Sequence, residues 1–177
     1  TGTRACYDEG KRAGESLCFD YNRTYGTKIK VVRIFNTYGP GMQPDDGRVV
    51  SNFVVQALKG DDITIYGDGT QTRSFCFVED MVSGLMSMMD TPLDVIGPIN
   101  IGNPKEITVK QLANSVLSLV NSRSRVVYHE LPEDDPKKRR PNITKALRYL
   151  PQWAPHQDLS EGLPKTIEYF RSRVEDQ

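Results

Sequence analysis

Close to the start of the chain stands Ala5-Cys6-Tyr7-Asp8-Glu9-Gly10-Lys11-Arg12, which sets a phenol and an ammonium four residues apart. On a helix that spacing puts Tyr7 and Lys11 one turn apart on one face. A tyrosine ionises near ~10 when unperturbed, and a fixed cation one turn away favours its phenolate. Such a pair is equipped to pass a proton to and from a bound hydroxyl. The same spacing also describes an ordinary exposed helix face, and this stretch alone does not separate the two readings.

Three further places bring polar side chains to a break in structure. Lys30 to Phe35 reads as a short strand that runs straight into Asn36-Thr37-Tyr38-Gly39-Pro40. In open α/β sheets ligands lie beyond the carboxyl ends of strands, and Asn36 and Thr37 offer both donors and acceptors there. A plain turn accounts for the same residues. Arg73 follows the turn Gly67-Asp68-Gly69-Thr70, and an arginine on a strand edge suits bidentate phosphate recognition; a solvated surface arginine is the alternative. Tyr66, just before that turn, is placed either to stack on a base or to cover the core. Asp134-Asp135-Pro136-Lys137-Lys138-Arg139-Arg140-Pro141 is the densest charge in the chain. It reads as a solvated loop, as a nucleic-acid patch, or as an anion site with one arginine turned into a cleft. His129 and His156 have no carboxylate at metal-ligand spacing and read as structural.

The elements that must position these residues follow from periodicity. Residues 4–25 read as a helix, with Ala13, Leu17, Tyr21 and Tyr25 at four-residue steps and Gly26 to stop it. A second helix carries Val49, Val50, Phe53, Val54, Ala57 and Leu58. Ile63–Tyr66 and Gln71–Phe77 read as two strands of a hairpin across the Gly-rich turn. Glu79–Met89 reads as a helix whose Met81, Leu85 and Met88 fill a core. A strand at Ile99–Gly102 precedes a capping box, Thr108-Val109-Lys110-Gln111, which opens a helix with Leu112, Val116, Leu119 and Val120 inward. A strand over Val126–His129 and a last helix after Asp158, with Leu159, Leu163, Ile167, Phe170 and Val174 on one face, complete the chain. The alternation predicts α/β architecture, with a small mixed α/β lobe after Phe77.

Composition narrows the class. The 177 residues carry 23 basic and 23 acidic side chains, so no global field draws the chain to nucleic acid or to an anionic membrane. The apolar runs fall far short of a membrane span. Three cysteines, Cys6, Cys18 and Cys76, lack metal-ligand spacing and read as reduced thiols of a cytoplasmic protein. A helix that begins within five residues, without an initiator Met, reads as part of a longer polypeptide.

Taken together, several stretches closely resemble the UDP-glucuronate decarboxylases, extended members of the short-chain dehydrogenase/reductase family whose signature is Tyr-x-x-x-Lys. They are Tyr7–Arg12, Arg33–Pro40, Asp46–Phe53, Tyr66–Phe75, Asn100–Pro104 and Asp134–Pro141. The resemblance implies the C-terminal part of an NAD-binding Rossmann-type fold: residues 1–60 end that domain, and residues 61–177 are mostly a substrate-binding lobe, with 72–101 as a segment that returns to the Rossmann-type domain. It also implies a redox-neutral reaction. NAD takes a hydride from C4 of UDP-glucuronate, carbon dioxide leaves from the resulting β-keto acid, and the hydride returns to give UDP-xylose.

By the same resemblance, Tyr7 is the base at O4, and Lys11 is its partner and a holder of the nicotinamide ribose. Arg139 steers the carboxylate and helps protonate the enolate. Asn36 and Arg73 meet the UDP phosphates, Tyr66 and Gln71 neighbour the nucleoside, and Thr37 and Arg48 lie on the cofactor or pyrophosphate side. A homodimer through the helix of Tyr7 and Lys11 is implied, as is a cytoplasmic location, or the Golgi lumen where an upstream part carries an anchor. The chain departs from the family in having no Gly-x-x-Gly-x-x-Gly loop for the NAD pyrophosphate, so the 177 residues are expected to be inactive alone. Rival readings are a sugar-nucleotide epimerase or dehydratase of the same superfamily and a non-catalytic binding or dimerisation module.

Overall fold

A computed structural model of the chain describes residues 5–130 and 138–174. Helix α1 (Ala5–Tyr25) is followed by strands β1 (Val32–Ile34) and β2 (Thr37–Tyr38), helix α2 (Val49–Lys59) and strands β3 (Ile63–Tyr66), β4 (Thr72–Ser74) and β5 (Cys76–Phe77). Helix α3 (Val78–Met89), strands β6 (Ile99–Ile101) and β7 (Glu106–Thr108), helix α4 (Val109–Val120) and strand β8 (Val126–His129) come next. Strand β9 (Lys138–Arg139) and helices α5 (Thr144–Tyr149) and α6 (Leu159–Val174) close the order.

The strands form four small groups. β1 pairs with β6, β2 with β5 and β3 with β8, all parallel, while β4 lies between antiparallel β7 and parallel β9. The hairpin expected across the Gly-rich turn is therefore absent. Gly67 and Gly69 take positive φ values of 74° and 76°, and the Asp68 carboxylate accepts from the Thr70 amide (2.9 Å) and hydroxyl (2.7 Å). That turn sends the chain away from β3. Ile63 and Ile65 are fully buried in the core, which holds β3 beside β8, while β4 finds its partners in β7 and β9. Arg73 consequently lies on a central strand, not on the edge expected of it. Strands β2, β7 and β9 are two or three residues long, too short to show a period, and the six-residue helix α5 escapes notice for the same reason; the strand read over Gln71–Phe77 is divided into β4 and β5 at Phe75.

Two cores support this arrangement. The first joins α2, α4 and α6 to β3 through Phe53, Val54, Ile63, Leu112, Val116, Leu163 and Phe170. Gly162 lets α6 press onto the Tyr38 and Phe77 rings, which a Cβ at that position would strike. The second gathers Met81 and Met88 of α3, Ile99 and Ile101 of β6, Ala146 of α5 and the sole tryptophan, Trp153. At Gly84 a Cβ would stand 2.8 Å from both Ile101 Cγ2 and Trp153 Nε1, so glycine here permits helix, strand and indole to meet. Asp80 joins this core to the approach to α6. Its carbonyl accepts from Trp153 Nε1 (2.8 Å), and its carboxylate accepts from the amides of His156 (3.0 Å) and Gln157 (2.9 Å).

Termination signals act as their residue types predict. The capping box at Thr108 and Gln111 is formed, and Asn121 ends α4 at φ 56°. Gly60 ends α2 in the left-handed region, and Asp46 caps its start through the Arg48 amide and the Ser51 hydroxyl. The stripe of Leu17, Tyr21 and Tyr25 on α1 is exposed, and α1 buries none of its residues. Among the described residues no helix is long and apolar enough to cross a membrane.

Candidate active site

Tyr7 and Lys11 fall in the first two turns of α1. The ammonium Nζ lies 5.4 Å from the centroid of the phenol ring, and both side chains face solvent, Tyr7 at 60%. The ammonium therefore lies beside the phenol ring on an open face, where the phenol is accessible for proton exchange.

The end of β1 lies beside the strand that follows Arg73. Cys76 N donates to the Asn36 carbonyl (2.9 Å), which starts the β2–β5 pairing, and Thr37 Oγ1 donates to the Phe35 carbonyl (2.9 Å). Asn36 and Thr37 are both half-buried. One residue, Phe75, separates β5 from β4, so the polar end of β1 and the strand bearing Arg73 are held by one short connection.

Arg73 is 8% exposed, and its Nη1 donates to the Thr72 carbonyl at 2.8 Å. In the parallel register of β4 and β9 it stands directly opposite Arg139, which is half-buried. Residues paired in register project from the same face of a sheet. The two side chains thus project from one face, and a guanidinium has the forked geometry that carboxylates and phosphates match. The opposite face is occupied differently: Thr72 Oγ1 donates to Glu106 (2.7 Å), and Arg140 lies 3.6 Å from the same carboxylate. Of the charged run, residues 134–137 lie outside the described residues, and Lys138–Arg139 form strand β9.

Tyr66 and Gln71 come together, since Gln71 Nε2 donates to the Tyr66 carbonyl at 2.6 Å. Tyr66 is half exposed, and its ring centroid lies 5.8 Å from that of His129, its register partner on β8. His129, read from sequence as structural, is brought to the Tyr66 ring by strand pairing, which spacing in the sequence does not reveal. Arg48 is exposed, with Nε 3.5 Å from Asp46.

Two buried groups beside this region are held neutral. Burial, reinforced by the charge of Asp80, pushes the Cys76 thiol up to about 12. Burial raises the Tyr38 phenol still further, and its hydroxyl has no hydrogen-bond partner among the described residues. Neither suits proton transfer at neutral pH. A cavity of about 580 Å³ opens elsewhere, between α4, α6 and β7. Its rim carries the Lys105–Asp158 ion pair (2.8 Å), and none of the sequence-predicted site residues lines it. No group of three or more metal-ligating side chains occurs among the described residues.

Residues 1–102 match the family described as NAD dependent epimerase/dehydratase. The chain belongs to that family. It is 54% identical over 173 residues to UDP-glucuronic acid decarboxylase 5 of Arabidopsis thaliana, covering 98% of this chain and 50% of that protein. It is 49% identical over 176 residues to UDP-glucuronic acid decarboxylase 1 of Danio rerio, covering 99% of this chain and 41% of that protein. The chain therefore spans about half the length, or less, of these curated relatives. Among solved structures, UDP-glucuronic acid 4-epimerase from Bacillus cereus in complex with UDP-glucuronic acid and NAD superposes with a TM-score of 0.85 at 29% identity, over 92% of this chain and 51% of that one. UDP-glucose 4-epimerase from Thermotoga maritima, solved with UDP-glucose, gives 0.85 at 32% identity over 93% and 52%.

Proposed function

We propose that these residues form the substrate-side half of an NAD-dependent UDP-glucuronate decarboxylase that makes UDP-xylose. The carrying observation is the register of Arg73 against Arg139, which gives one face of a sheet two guanidinium groups for a substrate that is anionic at its diphosphate and again at C6. High identity to decarboxylases along the whole chain supports the same reading.

In this reading residues 1–60 end the Rossmann-type domain and 61–177 are mostly the substrate lobe. The segment 72–101 returns to the first domain, in keeping with the β1–β6 and β2–β5 pairings. Tyr7 accepts the O4 proton and later returns it, while Lys11 holds that phenol and the ribose of the cofactor. Arg139 orients the C6 carboxylate and helps the enolate to be protonated after carbon dioxide has left; Arg73 and Asn36 hold the diphosphate. Tyr66 and Gln71 flank the nucleoside, and Thr37 and Arg48 serve the cofactor side. When bound, NAD supplies the hydride acceptor and donor at C4. The residues fit its ribose end through the adjoining Tyr7 hydroxyl and Lys11 ammonium; the glycine-rich turn for its pyrophosphate is not in this sequence. The exposed Leu17, Tyr21 and Tyr25 face of α1 supports a homodimer through that helix.

The test joins the N-terminal half of the Arabidopsis relative to this chain and follows carbon dioxide release from UDP-glucuronate labelled at C6. The fusion is expected to release label, and the 177 residues alone are not. Arg139→Ala in the fusion is expected to retain NAD and to lose release by at least about 100-fold. A fusion that binds NAD and converts the substrate only to its C4 epimer overturns the decarboxylase reading in favour of an epimerase.

A further inference from the structure

Helix α1 carries Tyr7 and Lys11, and among the described residues most of its half-buried positions lie in its later turns. After Ala5 its half-buried positions are Glu15, Phe19 and Asn22, at helical spacing, and every residue from Cys6 to Gly14 is exposed. Among the described residues the seam with β1 therefore begins at Glu15, one turn beyond Lys11. Glu15 continues the four-residue stripe of Tyr7 and Lys11, so the anchor points the same way as the two groups it supports.

The anchor itself is a forked ion pair. Arg33 of β1 donates from Nε to Glu15 Oε2 (2.8 Å) and from Nη2 to Oε1 (2.6 Å). Bidentate geometry fixes orientation as well as distance, which a single contact does not. The Glu15 side chain is only 26% exposed. Its hydrogen bonds from Arg33 hold its carboxyl below the usual carboxylate range, and Glu15 raises Arg33 in return. Three residues beyond Arg33 the same strand delivers Asn36 to the β2–β5 junction.

We propose that Glu15 and Arg33 are positioning residues: their ion pair sets the angle between β1 and the helix that carries Tyr7 and Lys11. The inference rests on the functional reading above, in which Tyr7 moves the O4 proton. Eight residues of helix place Tyr7 about 12 Å beyond Glu15. The next half-buried position of α1 after Glu15 is Phe19, about 18 Å from Tyr7 along the helix axis. A pivot of about 5° there moves the phenol by roughly 1.5 Å, and a misplacement of about 1 Å can cost on the order of 100-fold in rate.

The test uses Glu15→Gln, Arg33→Gln and the exchanged pair Glu15→Arg with Arg33→Glu. In the fusion, each single variant is expected to lower kcat by about 10- to 100-fold with KM for UDP-glucuronate within about twofold, and the exchanged pair to recover most of the loss. In the 177-residue chain with Cys18→Ser and Ser83→Cys, nitroxides on Cys6 and on position 83 of α3 report the helix angle by pulsed electron resonance. The distance distribution is expected to broaden in each single variant and to narrow again in the exchanged pair. An unchanged distribution and unchanged kcat in Glu15→Gln overturn the proposal, as does an exchanged pair no better than the singles in both readouts. If the unmodified fusion releases no carbon dioxide, the functional reading fails, while the spin-label distances still decide whether Glu15 and Arg33 orient the helix.

Discussion

Replacing Gly84 with alanine sets two effects of opposite sign against each other. In a helix interior the change relieves glycine's entropic penalty and is worth about 1 kcal/mol in favour of folding. Against it, the new Cβ would stand 2.8 Å from Ile101 Cγ2, 2.8 Å from Trp153 Nε1 and 2.9 Å from Trp153 Cε2. These neighbours have little room to yield. The indole is 3% exposed and is pinned by its bond to the Asp80 carbonyl, and Ile101 is fully buried in β6. Overpacking a filled core costs about 1–3 kcal/mol. Displacing the indole forfeits its hydrogen bond for about 0.5–1.5 kcal/mol more. The sum favours destabilisation by about 0.5–3.5 kcal/mol, and a mid-range loss of about 2 kcal/mol lowers Tm by roughly 4–8 °C at this chain length. Trp153 is the sole tryptophan, so its emission follows both the local site and the melt. A lower Tm with red-shifted native emission is expected. Gly84→Ala with equal or higher Tm and unshifted emission would refute the claim that helix, strand and indole meet with no space to spare.

Thr108→Ala removes the capping box of α4 and is expected to cost about 1 kcal/mol, read as a lower urea midpoint at constant m-value. At pH 8 a thiol reagent should modify Cys6 and Cys18 quickly and Cys76 only after unfolding, since the first two are exposed and the third is buried and protonated. The same group gives a signed pH dependence. The folded thiol ionises near about 12, whereas the unfolded chain releases that proton at an ordinary value of about 8.5. Its contribution to stability is complete below the unfolded value and is lost as pH rises toward the folded one. Cys76→Ala should flatten the fall of the urea midpoint on that alkaline side, and an identical slope in both proteins would count against burial as the cause.

Helices long enough to show a period were legible from residue types alone. The two-wide stripe of α2, the Thr108–Gln111 box and the core-filling Met81 and Met88 needed only local chemistry. Strand partners were not legible, because pairing is a long-range choice made by the cores. Ile63 and Ile65 bury themselves beside β8, and nothing local to the Gly-rich turn announces that it opens rather than closes a hairpin. The candidate site divides in the same way. Tyr7 and Lys11 are a helical spacing and could be seen at once. The facing of Arg73 with Arg139, and of Tyr66 with His129, exists only in strand register. The anchor between Glu15 and Arg33 joins a helix to the next strand, a contact for which neither residue has a local signature.

The same parallel pairings bear on how such a chain is made. β1 is completed by β6, a partner synthesised roughly 65 residues later, and β3 waits about as long for β8. At ordinary elongation rates each strand spends about 3–13 s without its neighbour. During that interval its open hydrogen-bonding edge is a hazard that a nascent-chain chaperone is suited to cover. Pausing of translation before residue 99 would lengthen the exposure of β1, whereas pausing after residue 101 has emerged from the ribosome would leave it already paired.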